Sequence, residues 1–323
     1  MIPSLPVFEG KQILVTGGSG LIGRHLIKLL LEKGAIVRTT VGSRPLPSHL
    51  KENVDAIHAN LLDPKICQDI MKGVHYVFHL AAFVGGVKQN VEHPATMMTK
   101  NLVLNSNVIS AAQNAGVERY AYVSCGCVYP DLDGIISEDM AWNGPPASGA
   151  IHFGWTKRIG ELEAQAYKDE FGFKVAIVRP GNSYGPGDLY DKYRSHVVPA
   201  LIMKAVQRDN PFRILGDGTS KRDFIFAEDV ARGIMLALEK YCVADPLNLS
   251  TGKPTSINEL ASIILRLSGY DDAKIVHESP NLSGSSNKVL STQKAKEKIN
   301  FQPQVSLEDG LKRTIESYAS GNA

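Results

Sequence analysis

The spacing with the clearest chemical content is Ile13-Leu14-Val15-Thr16-Gly17-Gly18-Ser19-Gly20-Leu21-Ile22-Gly23. Glycines at 17, 20 and 23 between an apolar strand and an apolar helix suit a backbone that closes on a pyrophosphate. One glycine makes the turn, one admits the phosphates, and one lets the helix pack on the strand. The amides of Ser19, Leu21 and Ile22 then face the anion, with the helix dipole behind them. A second pairing is Phe153 and Lys157, four residues apart and so on one helix face. It sets an amine beside a ring that exchanges no proton. Near the end of the second strand, Val37-Arg38-Thr39-Thr40-Val41-Gly42-Ser43-Arg44 holds no acid to bind a ribose hydroxyl. Ser43 and Arg44, with Arg38 as a weaker candidate, stand where a ribose 2′-phosphate would be held, so NADP is favoured over NAD. Arg44 could equally be a solvated loop residue.

The elements that would position these groups alternate. Strands are expected at 12–16, 36–41, 54–58, 76–80, 120–124 and 175–179. Helices are expected at 21–33, 64–72, 95–115 and 153–170. This pattern predicts an α/β, Rossmann-like, doubly wound parallel sheet with ligands at its carboxyl edge. On the cofactor side lie Asn60 and Leu61 after the third strand, and Leu80, Ala81 and Ala82 after the fourth. The small side chains at 81 and 82 permit close approach. Asp63 could accept from an adenine amino group or cap the helix at 64. Asn101 reads as a brace. Beyond the turn-rich Arg179–Gly187 loop the pattern changes. Residues 1–180 therefore read as the dinucleotide-binding domain, with part of 221–250 returning to it, and residues 181–323 as a smaller substrate lobe.

Composition sets outer limits. The 323 residues are 43% hydrophobic and carry a net charge of +2 from 35 basic and 33 acidic side chains, which argues for neither a nucleic-acid nor a membrane partner. No apolar run approaches the roughly 20 residues of a membrane span, and the N-terminus reads as no signal peptide. Cysteines 67, 125, 127 and 242 show no framework spacing, so a reducing cytoplasm is expected. No metal site is expected.

Taken together, Thr16–Gly23, His79-Leu80-Ala81-Ala82, the Ser/Cys segment after the fifth strand, the helix bearing Lys157 and Arg179–Asp188 resemble the extended short-chain dehydrogenase/reductases, the NAD-dependent epimerase/dehydratase family. The resemblance covers nearly the whole chain. It implies NAD(P), a nucleotide-diphosphate sugar, and a homodimer built on the helices at 95–115 and 153–170. Three stretches look closer to the GDP-L-fucose synthase branch: Ala81–Gly86, Cys127–Pro130 and Ser195–Ala200. That branch inverts C3 and C5 of GDP-4-keto-6-deoxymannose and reduces C4 with NADPH. Its epimerisation acid/base pair falls on Cys127 and His196. A thiol and an imidazole suit proton exchange beside a ketone, although Cys127 could also be a small core residue. A CxC disulfide or metal site is disfavoured, since no second ligand cluster accompanies it. By the same resemblance Arg222 holds the diphosphate, with a surface ion pair to Asp223 or Glu228 as its alternative. Val84, Gly85, Asn182, Val197, Lys288 and the stretch 285–290 belong to the substrate side, with guanine expected.

The chain departs from the family pattern at two catalytic positions. Phe153 stands at the tyrosine that exchanges the carbonyl proton, and Cys125 at a neighbouring Ser/Thr. The reduction step is therefore expected to be impaired. The chain is then a weakened epimerase/reductase, an enzyme that only epimerises, or one in which Tyr129 or Tyr184 supplies the proton. A non-catalytic dinucleotide or sugar-nucleotide sensor is the reading from a different class.

Overall fold

The computed structural model describes residues 7–84, 92–192, 194–279 and 287–321. The first part runs β1 (Gln12–Thr16), α1 (Leu21–Glu32), β2 (Ile36–Val41), α2 (Ser48–Lys51), β3 (Asp55–His58), α3 (Pro64–Ile70), β4 (Tyr76–His79), α4 (Pro94–Asn114), β5 (Arg119–Val123), β6 (Gly134–Ile136), α5 (Ile151–Phe171) and β7 (Val175–Pro180). The second runs β8 (Asn182–Tyr184), α6 (Val197–Val206), β9 (Phe212–Leu215), β10 (Lys221–Phe226), α7 (Ala227–Lys240) and β11 (Pro246–Leu249). It continues through β12 (Pro254–Ser256), α8 (Ile257–Leu267), β13 (Ile275–Glu278), β14 (Lys288–Leu290), α9 (Gln293–Ile299) and α10 (Leu307–Ala319).

Seven strands form one parallel sheet in the order β11-β7-β5-β4-β1-β2-β3, the doubly wound arrangement expected. Its central strands β1, β4, β5 and β7 are buried on both faces because helices cover both, while the edge strand β3 is largely exposed. Successive side chains alternate. Ile13 and Val15 face α1 and α7 through Leu26, Leu30, Val230 and Ile234, while Leu14 faces the opposite core of Cys67, Ile70, Leu104 and Val108. The order reverses at β1, so the crevice between the carboxyl ends of β1 and β4 is the place for a ligand.

A second sheet, β12-β10-β14-β6 with β8 on β10, forms a smaller layer beside this edge. A third core of Tyr184, Ile202, Phe212, Phe224, Leu260, Ile264 and Leu311 supports it. Its three-residue strands β6, β8, β12 and β14 are too short to show alternation, and the sequence reading does not contain them. β6 is contributed from between β5 and α5, and β11 joins the large sheet from beyond residue 181, so each layer draws on both parts of the chain. No helix among the described residues is long and apolar enough to cross a membrane.

Candidate active site

The glycine turn is shaped by two close approaches. Gly17 adopts φ +74°, and a Cβ there would lie 3.0 Å from Ala81 Cα. A Cβ on Gly23 would lie 2.5 Å from the Gly17 carbonyl oxygen and 2.7 Å from Gly18 Cα. The turn is pinned by Gly17 N–H donating to Thr40 Oγ1 (3.0 Å) and Gly18 N–H to the Thr40 carbonyl (3.1 Å). The first intrahelical bond runs from Arg24 N–H to the Gly20 carbonyl, which leaves the amides of Leu21, Ile22 and Gly23 at the helix mouth. This backbone cradle fits a dinucleotide pyrophosphate.

Below it runs a buried network that the sequence did not reveal. The Thr16 hydroxyl accepts from Ala81 N–H (3.1 Å) and lies 2.8 Å from His79 Nδ1; His79 Nε2 lies 3.0 Å from Asn105 Oδ1; Asn105 Nδ2 donates to the Tyr122 hydroxyl (3.1 Å). Burial pushes the His79 imidazole down to about 3. It is therefore neutral, and the bonds are all met when Nε2 carries the proton and Nδ1 accepts from Thr16. This network and the Asn101 bonds to Phe83 N–H and carbonyl (2.9 Å each) hold the β4 exit in place.

The other cofactor-side residues divide. Arg44 is half-buried and donates to the carbonyls of Gly187 (2.9 Å) and Asp188 (3.3 Å), tying the β2 exit to the loop after β8. It is thus neither a solvated residue nor an uncommitted one. Arg38 is corrected: it pairs with Asp55 (2.8 Å) and donates to Ile70 and Lys72 carbonyls, which occupies it elsewhere. Ser43 and Asn60 are exposed, Leu61 is buried, and Leu80, Ala81 and Ala82 are half-buried. Ser19 is 6% exposed. Asp63 caps α3 by accepting from Lys65 N–H (2.9 Å) and Ile66 N–H (3.4 Å). Arg24, outside the sequence reading, donates weakly to the Ser19 carbonyl (3.4 Å), and its Nε is buried without a partner. Opposite it, Asp188 is 5% exposed with Oδ2 unpartnered; burial raises its carboxyl pKa against the pull of His196, Arg44 and Arg24.

At the β5 edge, Lys157 is 4% exposed and donates to the Val123 carbonyl (2.8 Å). Its Nζ lies 5.6 Å from the Phe153 ring centre and 5.1 Å from that of Tyr122. Burial pushes the ammonium down to about 8. Ser124 turns the other way, as strand alternation requires, and donates to Glu161 (2.5 Å). Glu161 is held by both guanidinium arms of Arg179 (2.9 and 2.6 Å), a fully buried pair. Neither alternative tyrosine is a free proton donor. Tyr129 donates to Asn248 Oδ1 (2.5 Å) and accepts from Arg179 (3.0 Å), and Tyr184 donates to the Leu307 carbonyl (3.2 Å). Burial raises both phenols well above their ordinary range.

The cysteines require a correction. Cys125 and Cys127 are joined by a disulfide, with Cα atoms 5.3 Å apart. Cys125 is extended (φ −159°, ψ 165°) and Gly126 begins a 3₁₀ turn, which brings the two sulfurs to the same side. The absence of a second ligand cluster argues against a metal, but not against two neighbours bonding each other. Lys288 Nζ donates to the intervening Gly126 carbonyl (2.8 Å), and Arg222 pairs with Lys288 across β10 and β14. The structure thus brings Cys125, Cys127, Lys288 and Arg222 into one neighbourhood. The proposed ion-pair partners of Arg222 have other bonds: Asp223 accepts from Thr251 and Gly252, and Glu228 pairs with Lys28. His196 is exposed at the start of α6, with Val197 half-buried beside it. Asn182 is exposed and donates to the Asp223 carbonyl (3.0 Å). Val84 is 57% exposed; Gly85 and residues 285–286 lie outside the described residues.

A doubly wound sheet with a glycine cradle at its switch point, a buried lysine beside it and a smaller lobe over its edge defines a dinucleotide-binding α/β enzyme class. Residues 13–249 match the profile of the NAD dependent epimerase/dehydratase family, and the chain belongs to that family. It is 31% identical over 322 residues to a GDP-L-fucose synthase of Sinorhizobium fredii, covering 98% of each chain. It is 29% identical to GDP-mannose 3,5-epimerase 1 of Oryza sativa subsp. japonica, covering 95% of this chain and 81% of the other. Its fold is similar to a UDP-glucose 4-epimerase of Thermotoga maritima crystallised with UDP-glucose, at TM-score 0.86 and 30% identity over 96% of this chain and 99% of that one.

Proposed function

We propose that the protein epimerises a 4-keto-6-deoxy sugar nucleotide, GDP-linked, by proton exchange at the carbons flanking the ketone, and that it has lost most of its capacity to reduce that ketone. The observation that carries the proposal is a phenyl ring at Phe153, 5.6 Å from the buried Lys157 ammonium, where a phenol is needed; Cys127 and His196 stand at the acid/base positions that the resemblance implies. The full-length similarity to a GDP-L-fucose synthase and to a GDP-mannose 3,5-epimerase supports the substrate class. In the dithiol state, Cys127 exchanges a proton on one face of the sugar and His196 on the other, through an enolate. Arg222 and Lys288 hold the diphosphate and ribose, with Val84, Asn182 and Val197 around the sugar. Bound NADP supplies the hydride chemistry of the family. Arg44 and Ser43 favour the 2′-phosphate, and Lys157 holds the nicotinamide ribose.

The test is deuterium uptake from D2O into GDP-4-keto-6-deoxymannose under reducing conditions, read by NMR. Label at C3 or C5 that disappears in Cys127→Ala supports the epimerase. No label, with sugar nucleotide still bound, favours the sensor. A homodimer is the proposed assembly. Trp155, Ile159 and Leu162 expose 37, 37 and 48% of their surface on one face of α5, and Val103 adds 39% on α4. Leu162→Glu is expected to give monomers in sedimentation velocity; an unchanged dimer would place the interface elsewhere.

A further inference from the structure

We infer that Cys125 and Cys127 form a reversible thiol–disulfide modification site that switches proton exchange off when oxidised and on when reduced. The gating half depends on the acid/base reading of Cys127; the disulfide itself does not. Four features single the pair out. The two residues are bonded in the structure. Both are half-buried at the carboxyl edge of the sheet, where a small thiol can reach them. They lie between Lys288, which donates to the Gly126 carbonyl, and the start of α5, where Gly154 alone leaves room against the Cys127 carbonyl. Lys288 is anchored to the residue between the two cysteines, and a cation in that neighbourhood favours thiolate over thiol once the pair is reduced, which speeds exchange with other sulfurs. The remaining two cysteines are unbonded: Cys67 is fully buried and Cys242 half-buried, their sulfurs donate to the Leu61 and Leu238 carbonyls, and burial pushes both thiols up to about 11.

In the oxidised state the sulfur of Cys127 has no proton to give and no thiolate to receive one. The bond also consumes Cys125, at the position of a family hydroxyl. Reduction by a small dithiol restores both. A reductant thiolate attacks one sulfur, the S–S bond breaks, and the other cysteine leaves as a thiolate that takes up a proton. The reductant's second thiol then resolves the mixed disulfide and leaves as a cyclic disulfide. Two electrons and two protons enter the pair. Oxidised glutathione, a small-molecule disulfide, runs the exchange backwards and departs as two thiols.

The experiment uses the full chain poised in oxidised or reduced glutathione, with two readouts. Alkylation under denaturing conditions and peptide mass spectrometry are expected to label Cys67 and Cys242 in both buffers, and Cys125 and Cys127 only in the reduced one. Deuterium uptake into GDP-4-keto-6-deoxymannose is expected to be at least about 100-fold faster in the reduced buffer. Cys125→Ser cannot form the internal bond, and any loss of its uptake in oxidised glutathione is expected to track a glutathione adduct on Cys127 in the mass spectrum. Four labelled cysteines in oxidised glutathione overturn the modification site. Equal uptake by the wild-type chain in both buffers, with the thiol count changing, overturns the gating. No uptake by the reduced chain overturns the acid/base reading and the gating with it, while the thiol count still decides whether the disulfide forms.

Discussion

Phe153→Tyr is the perturbation that tests the account of the reduction step. The tyrosine would carry its hydroxyl at the ring edge, close to the Lys157 ammonium, whose Nζ is 5.6 Å from the present ring centre. At that separation and an effective dielectric of about 20, the cation favours the phenolate by about 3 kcal/mol. That corresponds to about 2 pKa units, which brings a phenol from about 10 to about 8. A phenol of that acidity is an effective donor to a carbonyl at neutral pH. A positioned general acid is worth about 100- to 10,000-fold in rate. The assay is NADPH oxidation with GDP-4-keto-6-deoxymannose in reducing buffer. A gain in that range is expected, falling as pH rises past about 8, where the phenol loses its proton and Lys157 loses its charge. Deuterium uptake at C3 and C5 should change little, since it needs no donor to C4. A tyrosine variant that binds cofactor and substrate yet gains no rate would refute the reasoning that this ring limits reduction.

Other outcomes follow from the same geometry. Gly23→Ala sets a Cβ 2.5 Å from the Gly17 carbonyl oxygen, and is expected to weaken NADP binding by more than ~10-fold in calorimetry; unchanged affinity would detach the cradle from the cofactor. His79 lies in the folded state at about 3 against an ordinary 6.5, so the unfolded chain binds the extra proton between those values. Its contribution to stability is complete above about pH 6.5 and is lost as pH falls towards 3, by up to about 5 kcal/mol. Urea midpoints measured from pH 7 to 4 should fall, and fall less in His79→Phe. Arg179→Met leaves the Glu161 carboxylate buried without its cation, at a cost of about 3–5 kcal/mol in urea unfolding. Arg179→Met with Glu161→Met should recover much of it, and a double variant no more stable than the single would show that the pair does not set the cost.

What the sequence disclosed follows from range. The glycine turn, the parallel strands and the helices are written in spacings of a few residues, and Gly17 and Gly23 make the contacts that their spacing implies. Element ends differ by a residue or two. Links between distant residues left no such trace. Arg44 meets Gly187 and Asp188 across 143 and 144 positions, and Lys288 meets Gly126 across 162. The Thr16–His79–Asn105–Tyr122 network joins three strands and a helix with ordinary polar residues. Tyr129 and Tyr184 looked available because a tyrosine's exposure is set by its partners, here Asn248 and the Leu307 carbonyl. The disulfide was missed for a different reason. Its two cysteines are separated by one residue, and only the backbone turn at Gly126 decides whether their side chains diverge or meet.

The two departures at the β5 edge affect different halves of the chemistry. Phe153 removes a proton donor to the ketone oxygen, which matters only when hydride reaches C4. The role proposed for Cys127 concerns protons on the carbons beside that ketone. A chain that had lost the need for both would have no constraint on Lys157, and a neutral residue there would avoid burying an ammonium. Yet Lys157 is buried, depressed to about 8 and held to the Val123 carbonyl. Burial of that charge costs stability. A site that binds dinucleotide while exchanging sugar protons still uses the cation; a purely structural lobe does not. The retention of that cation beside a lost phenol therefore favours an enzyme that keeps its cofactor site and its enolisation step over a scaffold that has discarded catalysis.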